Sequence, residues 1–191
     1  VRVLANDANA GFARACNQGI RHTRGAYVLL LNPDCVPAAG AIARLADYMR
    51  RHGQAGAVGP RVRQPDGRDD LRSPCRLPTL WSDLCDRSGM AAACPTSRLW
   101  AAHRLPGWDR ARSGAVDGVS GACLLLRRAA LDAVGLLDEG FFMYCEDVDL
   151  GWRHQLAGWS ARYVPGAVAY HHLGASGGGV LASYYTGRNT I

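Results

Sequence analysis

The chain has 191 residues, 48% hydrophobic and 20% charged, which is enough apolar material for one domain with a core of its own. Its net charge of +6 rests on arginine alone, since none of the 22 basic residues is lysine, and they form no block, so the excess reads as coding bias and not as a nucleic-acid footprint. Seven cysteines, odd in number and without C-x-x-C or zinc-ligand spacing, speak against a disulfide framework or zinc module and for a reducing cytoplasm, while no apolar run reaches the roughly 18 residues of a bilayer span.

Val1 to Leu4 reads as a strand or the end of one, followed by the turn-rich "ANDANAG". Apolar residues at helical spacing predict a helix from Phe12 to about Arg24, stopped by Gly25. Ala26 to Leu31 is a short apolar run, a strand expected to be covered on both faces, with Leu31 buried. Pro37 to about His52 reads as a second helix, with Ile42, Leu45, Ala46 and Met49 inward, and "AGAVGPRV" as the next strand. This alternation points to an α/β domain with a mostly parallel central sheet.

From Arg68 to Gly114 the pattern decays into Arg, Pro, Ser and Trp, which predicts an irregular insertion or lid carrying at most two short helices. Order returns with "AVDGVSGACLLLRR" as a buried strand, then a helix ending at Gly135. A helix over "EDVDLGWRHQLAG" follows, its apolar stripe read as Val148, Trp152, Leu156 and Trp159. "SARYVP" and "AVAYHH" read as two short strands, the glycines Gly174 and Gly177 to Gly179 as a flexible segment able to close over a ligand, and Val180 onward as an apolar-aromatic tail.

Three stretches carry chemistry. In "NPD", Pro33 restricts Asn32 to extended backbone and presents Asp34 just past a strand end, where ligands of α/β sheets gather; the residues alone fit a β-turn or a carboxylate for a hard divalent cation. In "CEDVD", Glu146, Asp147 and Asp149 crowd a helix start, and there the macrodipole, an Asp149–Arg153 pair or a general base each accounts for an acid. "AYHHLGAS" offers an imidazole at a strand end, and "NANAGFARACN" delivers a helix N-terminus. The chain lacks G-x-x-x-x-G-K-[ST], G-x-G-x-x-G and G-x-S-x-G, so triphosphatase, dinucleotide and α/β-hydrolase readings have no anchor.

Taken in order, "NANAGFARACNQGIRHTRGAYVLLLNPDCVP", "VSGACLLLRRAALDAVGLLDEGFFMYCEDVDLGWRHQLAGW", "HHLGAS" and "YYTGRN" resemble the family 2 inverting glycosyltransferases of GT-A fold, in their bacterial rhamnosyltransferase-like branch. The resemblance implies one GT-A domain, an α/β/α sandwich over residues 1–191, N-terminally truncated, with the strands that hold base and ribose lying before Val1. It implies Mg²⁺ or Mn²⁺ held by Asp34 and by His171, with His172 as the fallback. Asp147 matches the base that deprotonates the acceptor hydroxyl, and Glu146 shapes the acceptor site. Asp34 matches the last acid of the family's metal-binding D-x-D, and Asn32, a substrate-side residue here, takes the place of the first; Asn9, Gly11, Phe12 and Asn17 match the segment beside the nucleotide, and Gly121 with Ala122 the floor near the donor sugar.

The donor implied is dTDP-rhamnose or a UDP-sugar and the acceptor a glycan or lipid-linked glycan, in cell-surface polysaccharide synthesis. The setting implied is cytoplasmic, with peripheral contact to the inner membrane face. Arg72, Arg76 and Arg188 are candidates for a lipid pyrophosphate or membrane surface. A catalytically silent module that binds a glycan or a partner is the alternative.

Overall fold

The structure, a computed structural model, describes residues 2–172 and 180–189. Residues 2–4 form no strand, and Val3 is exposed, so the expected opening strand is absent. Gly11 starts the first helix: its φ of 81° is left-handed, and a Cβ there would lie 2.6 Å from the Phe142 carbonyl oxygen. Helix α1, Phe12–Arg21, buries Ala13, Asn17 and Ile20 on one face. It stops short of Arg24 because Thr23 turns its hydroxyl back onto the Ile20 carbonyl at 2.9 Å.

Strand β1, Tyr27–Leu31, alternates, with Val28 and Leu30 buried and Leu31 exposed, contrary to expectation. Its register explains this: β1 is an edge strand whose last residue faces the opposite way from Leu30. The second proline does not open a helix. Cys35–Pro37 form strand β2 at the opposite edge, where a proline costs no ladder bond, and helix α2, Ala41–Arg51, starts only after Gly40 at φ 75°. Leu45 and Met49 are buried on α2, whereas Ile42, expected inward, is exposed. Strand β3, Ala55–Arg63, begins with six consecutive buried residues, as a central strand should.

The insertion is more ordered than its composition suggests. It holds α3, Leu80–Arg87, capped by Thr79, then α4, Met90–Ala93, and a 3₁₀ turn, Ala102–Arg104. These close a small satellite core of Cys85, Ala91 and Ala101 under Trp100. The stretch read as one buried strand divides into β4, Gly114–Val116, and β5, Cys123–Arg127, with a turn between them. Helix α5, Arg128–Val134, ends at Gly135 as expected, and α6 spans Glu146–Leu156. The two expected C-terminal strands are one, β6, Ser160–His171, and α7, Val180–Asn189, follows. The glycine segment expected to be flexible lies outside the described residues.

Among the described residues the sheet runs β1-β5-β3-β6-β2, with β4 also on β6. It is mixed and not mostly parallel: β3 and β6 pair parallel, while β1–β5, β5–β3, β6–β2 and β6–β4 are antiparallel. A helical crossover enforces parallel pairing, but the long insertion returns the chain from the other end, so β5 enters reversed. The register of β3 against β6 jumps from Pro60↔Val164 to Arg61↔Val168. The bulge therefore falls on Pro165, Gly166 and Ala167, around the expected break at Gly166, because proline cannot donate to the ladder.

Two apolar layers flank the sheet. One joins Ala13, Ile20, Leu126, Leu131 and Leu150 across α1, α5 and α6; the other joins Leu45, Met49, Val58, Leu125 and Val164 under α2. The result is an α/β/α sandwich.

Candidate active site

At the carboxyl end of β1 the chain turns through Asn32, Pro33 and Asp34. The Asn32 N–H donates to the Ala122 carbonyl at 2.9 Å, and the Cys35 N–H closes the turn onto Asn32 O at 3.0 Å. Strand β2 then pairs with the end of β6, Cys35 opposite His171, and the His172 N–H donates to Asp34 O at 2.9 Å. This edge pairing carries the His171 ring to Asp34, Nε2 standing 3.2 Å from Oδ1, with both side chains largely buried. His172 is exposed. The His171 Nδ1 atom is buried without a hydrogen-bond partner among the described residues.

On the same side as Asp34 and His171, Asp70 adds a carboxyl that sequence reading missed. Its side chain is buried and held by Arg72 through two guanidinium bonds of 3.0 and 2.9 Å. Burial pushes its carboxyl up, but Arg72 outweighs that, with His171 contributing, and holds it below the ordinary range. Arg72, a candidate lipid contact by sequence, is thereby a partner of Asp70. The tandem "RDDLR" gave no periodic signal because it lies on a loop ordered by Arg110, which donates to the Ser73 carbonyl at 2.6 Å.

The second acidic group opens α6. Asp147 Oδ2 accepts from the Gly121 N–H at 3.0 Å and Oδ1 from the Val148 N–H at 2.9 Å. Glu146 beside it is 6% exposed, with Oε2 unpartnered among the described residues. Burial first, and the Asp147 charge second, raise the Glu146 carboxyl to about 8. Burial raises Asp147 as well, opposed by its two backbone donors. Adjacent carboxyls, one buried and one half-buried, cannot both ionise readily, and the backbone donors favour charge on Asp147 and the proton on Glu146.

The buried face of α6 is Glu146, Leu150 and His154, whereas Trp152 and Leu156 are exposed. Of the stripe expected to be the core face, Val148, Trp152 and Leu156 lie on the outward side and only Trp159 turns in, packing with His154 against Gly56 of the sheet. That outward stripe lines a groove of about 800 Å³ shared with α3 and α7, which Cys145, Val148 and Trp152 border from α6 and Leu80 from α3. Cys145 and Val148, which flank Glu146 and Asp147 in the chain, lie along its wall.

The remaining predicted residues divide. Gly121 and Ala122 lie between the two acidic groups, Gly121 on Asp147 and Ala122 on Asn32. Asn9 caps a turn, its Oδ1 accepting from the Gly11 N–H at 3.0 Å, and the Phe12 N–H donates to Phe142 O at 2.7 Å. Phe12 itself packs on the core. Asn17 is no surface for a ligand: it is 1% exposed, and its amide is spent on the Leu137 backbone and on Glu139. A buried asparagine in a helix must satisfy its polar atoms, and here they tie α1 to the loop after α5. Arg188 donates to the Gly140 carbonyl at 3.4 Å, and Arg76 lines a small pocket of about 330 Å³ with Arg98 and Trp108.

The model of the family described as "Glycosyltransferase like family 2" matches residues 1–183. The chain belongs to that family. It is 36% identical over 203 residues, 96% of this chain, to N-acetylglucosaminyl-diphospho-decaprenol L-rhamnosyltransferase of Mycobacterium tuberculosis, and it spans 62% of that relative's length. The rhamnosyltransferase WbbL of Escherichia coli is 44% identical over 57 residues, 30% of this chain and 22% of that protein.

Among solved structures, GalNAc-T7 with UDP, GalNAc and Mn²⁺ superposes with a TM-score of 0.63 at 15% identity, over 96% of this chain and 36% of that one. A mannosyltransferase from Pyrobaculum calidifontis, in complex with GDP-Man and Mn²⁺, reaches 0.55 at 16% identity, over 91% of this chain and 39% of that one. These likenesses establish the GT-A fold of this family 2 chain.

Proposed function

We propose that this chain is the catalytic domain of an inverting sugar transferase. It moves rhamnose or a similar hexose from a nucleotide-diphospho-sugar, dTDP-rhamnose or a UDP-sugar, to a hydroxyl of a lipid-linked glycan in cell-surface polysaccharide synthesis. The observation that carries this reading is the pairing of two unlike acidic centres across one loop: Asp34 against His171 at 3.2 Å, and Asp147 on the Gly121 N–H at 3.0 Å. The rhamnosyl donor and lipid-linked acceptor rest on the mycobacterial relative.

Asp34 and His171 suit a divalent cation: one carboxylate oxygen and the imidazole Nε2 stand 3.2 Å apart and leave further positions for diphosphate oxygens. When bound, Mg²⁺ or Mn²⁺ supplies Lewis-acid neutralisation of charge on the departing nucleoside diphosphate. Ala122 and Gly121 floor the space between, where the small side chains leave room for a sugar ring. Asp147 is the general base: its carboxylate, held by two N–H groups, takes the acceptor hydroxyl proton as that oxygen attacks the anomeric carbon. Attack from the face opposite the leaving group inverts the configuration and needs no covalent enzyme intermediate. Glu146, protonated, keeps a second negative charge away from the attacking oxygen.

The apolar groove along α6 and the insertion over residues 68–114 form the acceptor side, within one domain. The seven free cysteines support a cytoplasmic setting, and no helix among the described residues is long and apolar enough to cross a membrane. Peripheral contact with the inner face fits an acceptor of that kind.

Titration of dTDP- and UDP-sugars by calorimetry, with and without Mn²⁺ and with Asp34→Ala as control, tests this. Metal-dependent binding that the control loses is the expected result. No metal-dependent binding of any donor would leave the silent binding module as the reading of this chain.

A further inference from the structure

The turn that delivers Glu146 and Asp147 is built from two residues in the left-handed region, Tyr144 at φ 66° and Cys145 at φ 70°. Neither is glycine, and side chains larger than hydrogen crowd the backbone there, so such a pair persists only where its surroundings hold it. The holding group is at the far end of the chain. The Asn189 side-chain amide, at the end of α7, donates to the Met143 carbonyl at 2.9 Å and to the Tyr144 carbonyl at 2.8 Å. Two successive carbonyls can converge on one amide only because Tyr144 turns left-handed between them.

The rest of the segment is gripped from both sides. Tyr185 of α7 stacks on Phe142 with centroids 5.0 Å apart, and Arg188 donates to the Gly140 carbonyl at 3.4 Å. From the other side the Phe12 N–H donates to the Phe142 carbonyl at 2.7 Å. Directly after this segment, Asp147 meets the Gly121 N–H.

We propose that Asn189 is a positioning residue for the catalytic base: its amide locks the left-handed Tyr144–Cys145 turn and so sets Asp147 against Gly121. The proposal takes Asp147 as the base and rests on the function proposed above. Asn189→Asp keeps the shape but turns lone pairs toward two carbonyls, and Asn189→Ala removes the donor.

Amide exchange on the full chain decides it first. In both variants the Gly121 and Val148 amides, which donate to Asp147, should exchange at least about tenfold faster, with β3 and β6 amides unchanged. In turnover with a nucleotide-sugar, kcat should fall at least about tenfold while donor KM stays within about twofold. Adding Cys145→Gly, which removes the steric cost of a left-handed residue, should recover part of both losses. Unchanged Gly121 and Val148 exchange overturns the proposal. So does faster exchange throughout β3 and β6 with kcat tracking lost stability, for that is a structural role only. If the wild-type chain transfers no sugar, the exchange measurement alone still decides, so failure of the proposed activity and failure of this inference are told apart.

Discussion

The two acidic centres of the site are built in opposite ways. Asp34 stands at a strand end beside an imidazole, braced by Pro33 and by strand pairing on an exposed edge. Asp147 stands at a helix start beside a second carboxylate, on a turn that its own residues resist, with burial raising both acids. The first arrangement keeps a carboxylate beside a nitrogen donor, which suits a cation and phosphate oxygens. The second sets a carboxylate beside a second acid, where desolvation raises its proton affinity against the pull of its backbone donors, which suits a base. Under the proposed function, one sheet presents the charge-holding and the proton-accepting centres a loop apart.

The sharpest break in the comparison comes from Asp147→Asn. Transfer should fall by about 10³-fold or more, with metal-dependent donor binding intact; single-turnover rates beside calorimetric titration separate the two, and retained turnover removes Asp147 from the base role. Asp34→Ala should do the reverse, weakening Mn²⁺-dependent donor binding by at least about tenfold. Its effect without metal should be small, and equal loss with and without Mn²⁺ would detach Asp34 from the cation.

Asn17→Ala tests a residue that belongs to neither centre. It should cost about 2–4 kcal/mol of stability in urea unfolding, by leaving the Leu137 N–H and carbonyl without partners, and change donor affinity little once folded. A donor-affinity loss larger than the stability loss would return it to the nucleotide side.

The smallest effect is in the pH dependence of stability. The Glu146 carboxyl sits near 8 in the folded chain against 4.5 unfolded, so between those values the native state binds a proton that the unfolded chain releases. Stability from this group is therefore full below about 4.5 and declines as pH rises toward 8. Glu146→Gln removes the decline, with a gain on the order of 1–3 kcal/mol at pH 9 and almost none at pH 4. Parallel stability curves for the two proteins would show that Glu146 is solvated.

The sequence alone placed the main helices and the central strands, but not the edge strand β2, the division of β4 from β5 or the continuity of β6. Strand, helix and strand were legible because apolar residues recur with period 2 or 3.6, whereas "NPD" and "CED" taken singly fitted a turn or a helix start as well as a site, and only their order along the chain, as a family resemblance, gave them a role. What the sequence could not show was direction and rotation. The sheet is mixed because the insertion returns β5 reversed, a fact about where a long loop ends, on which local pattern is silent. The outward face of α6 carries Val148, Trp152 and Leu156 because a cavity-lining stripe and a core stripe share one periodicity. That His154 and Glu146 are buried had no local signal, since only packing reveals a buried polar group.

His171 and His172 were indistinguishable in the chain. Edge pairing of β2 with β6 separated them, putting the odd-numbered ring on Asp34 and its neighbour in solvent. Asn189, 45 residues from Tyr144, had no local signal at all. Residue types and periodicities are local, and they determined which side chains were available for catalysis. Strand register, helix rotation and contacts between distant ends arise only when the layers pack, and they decided which of those side chains meet.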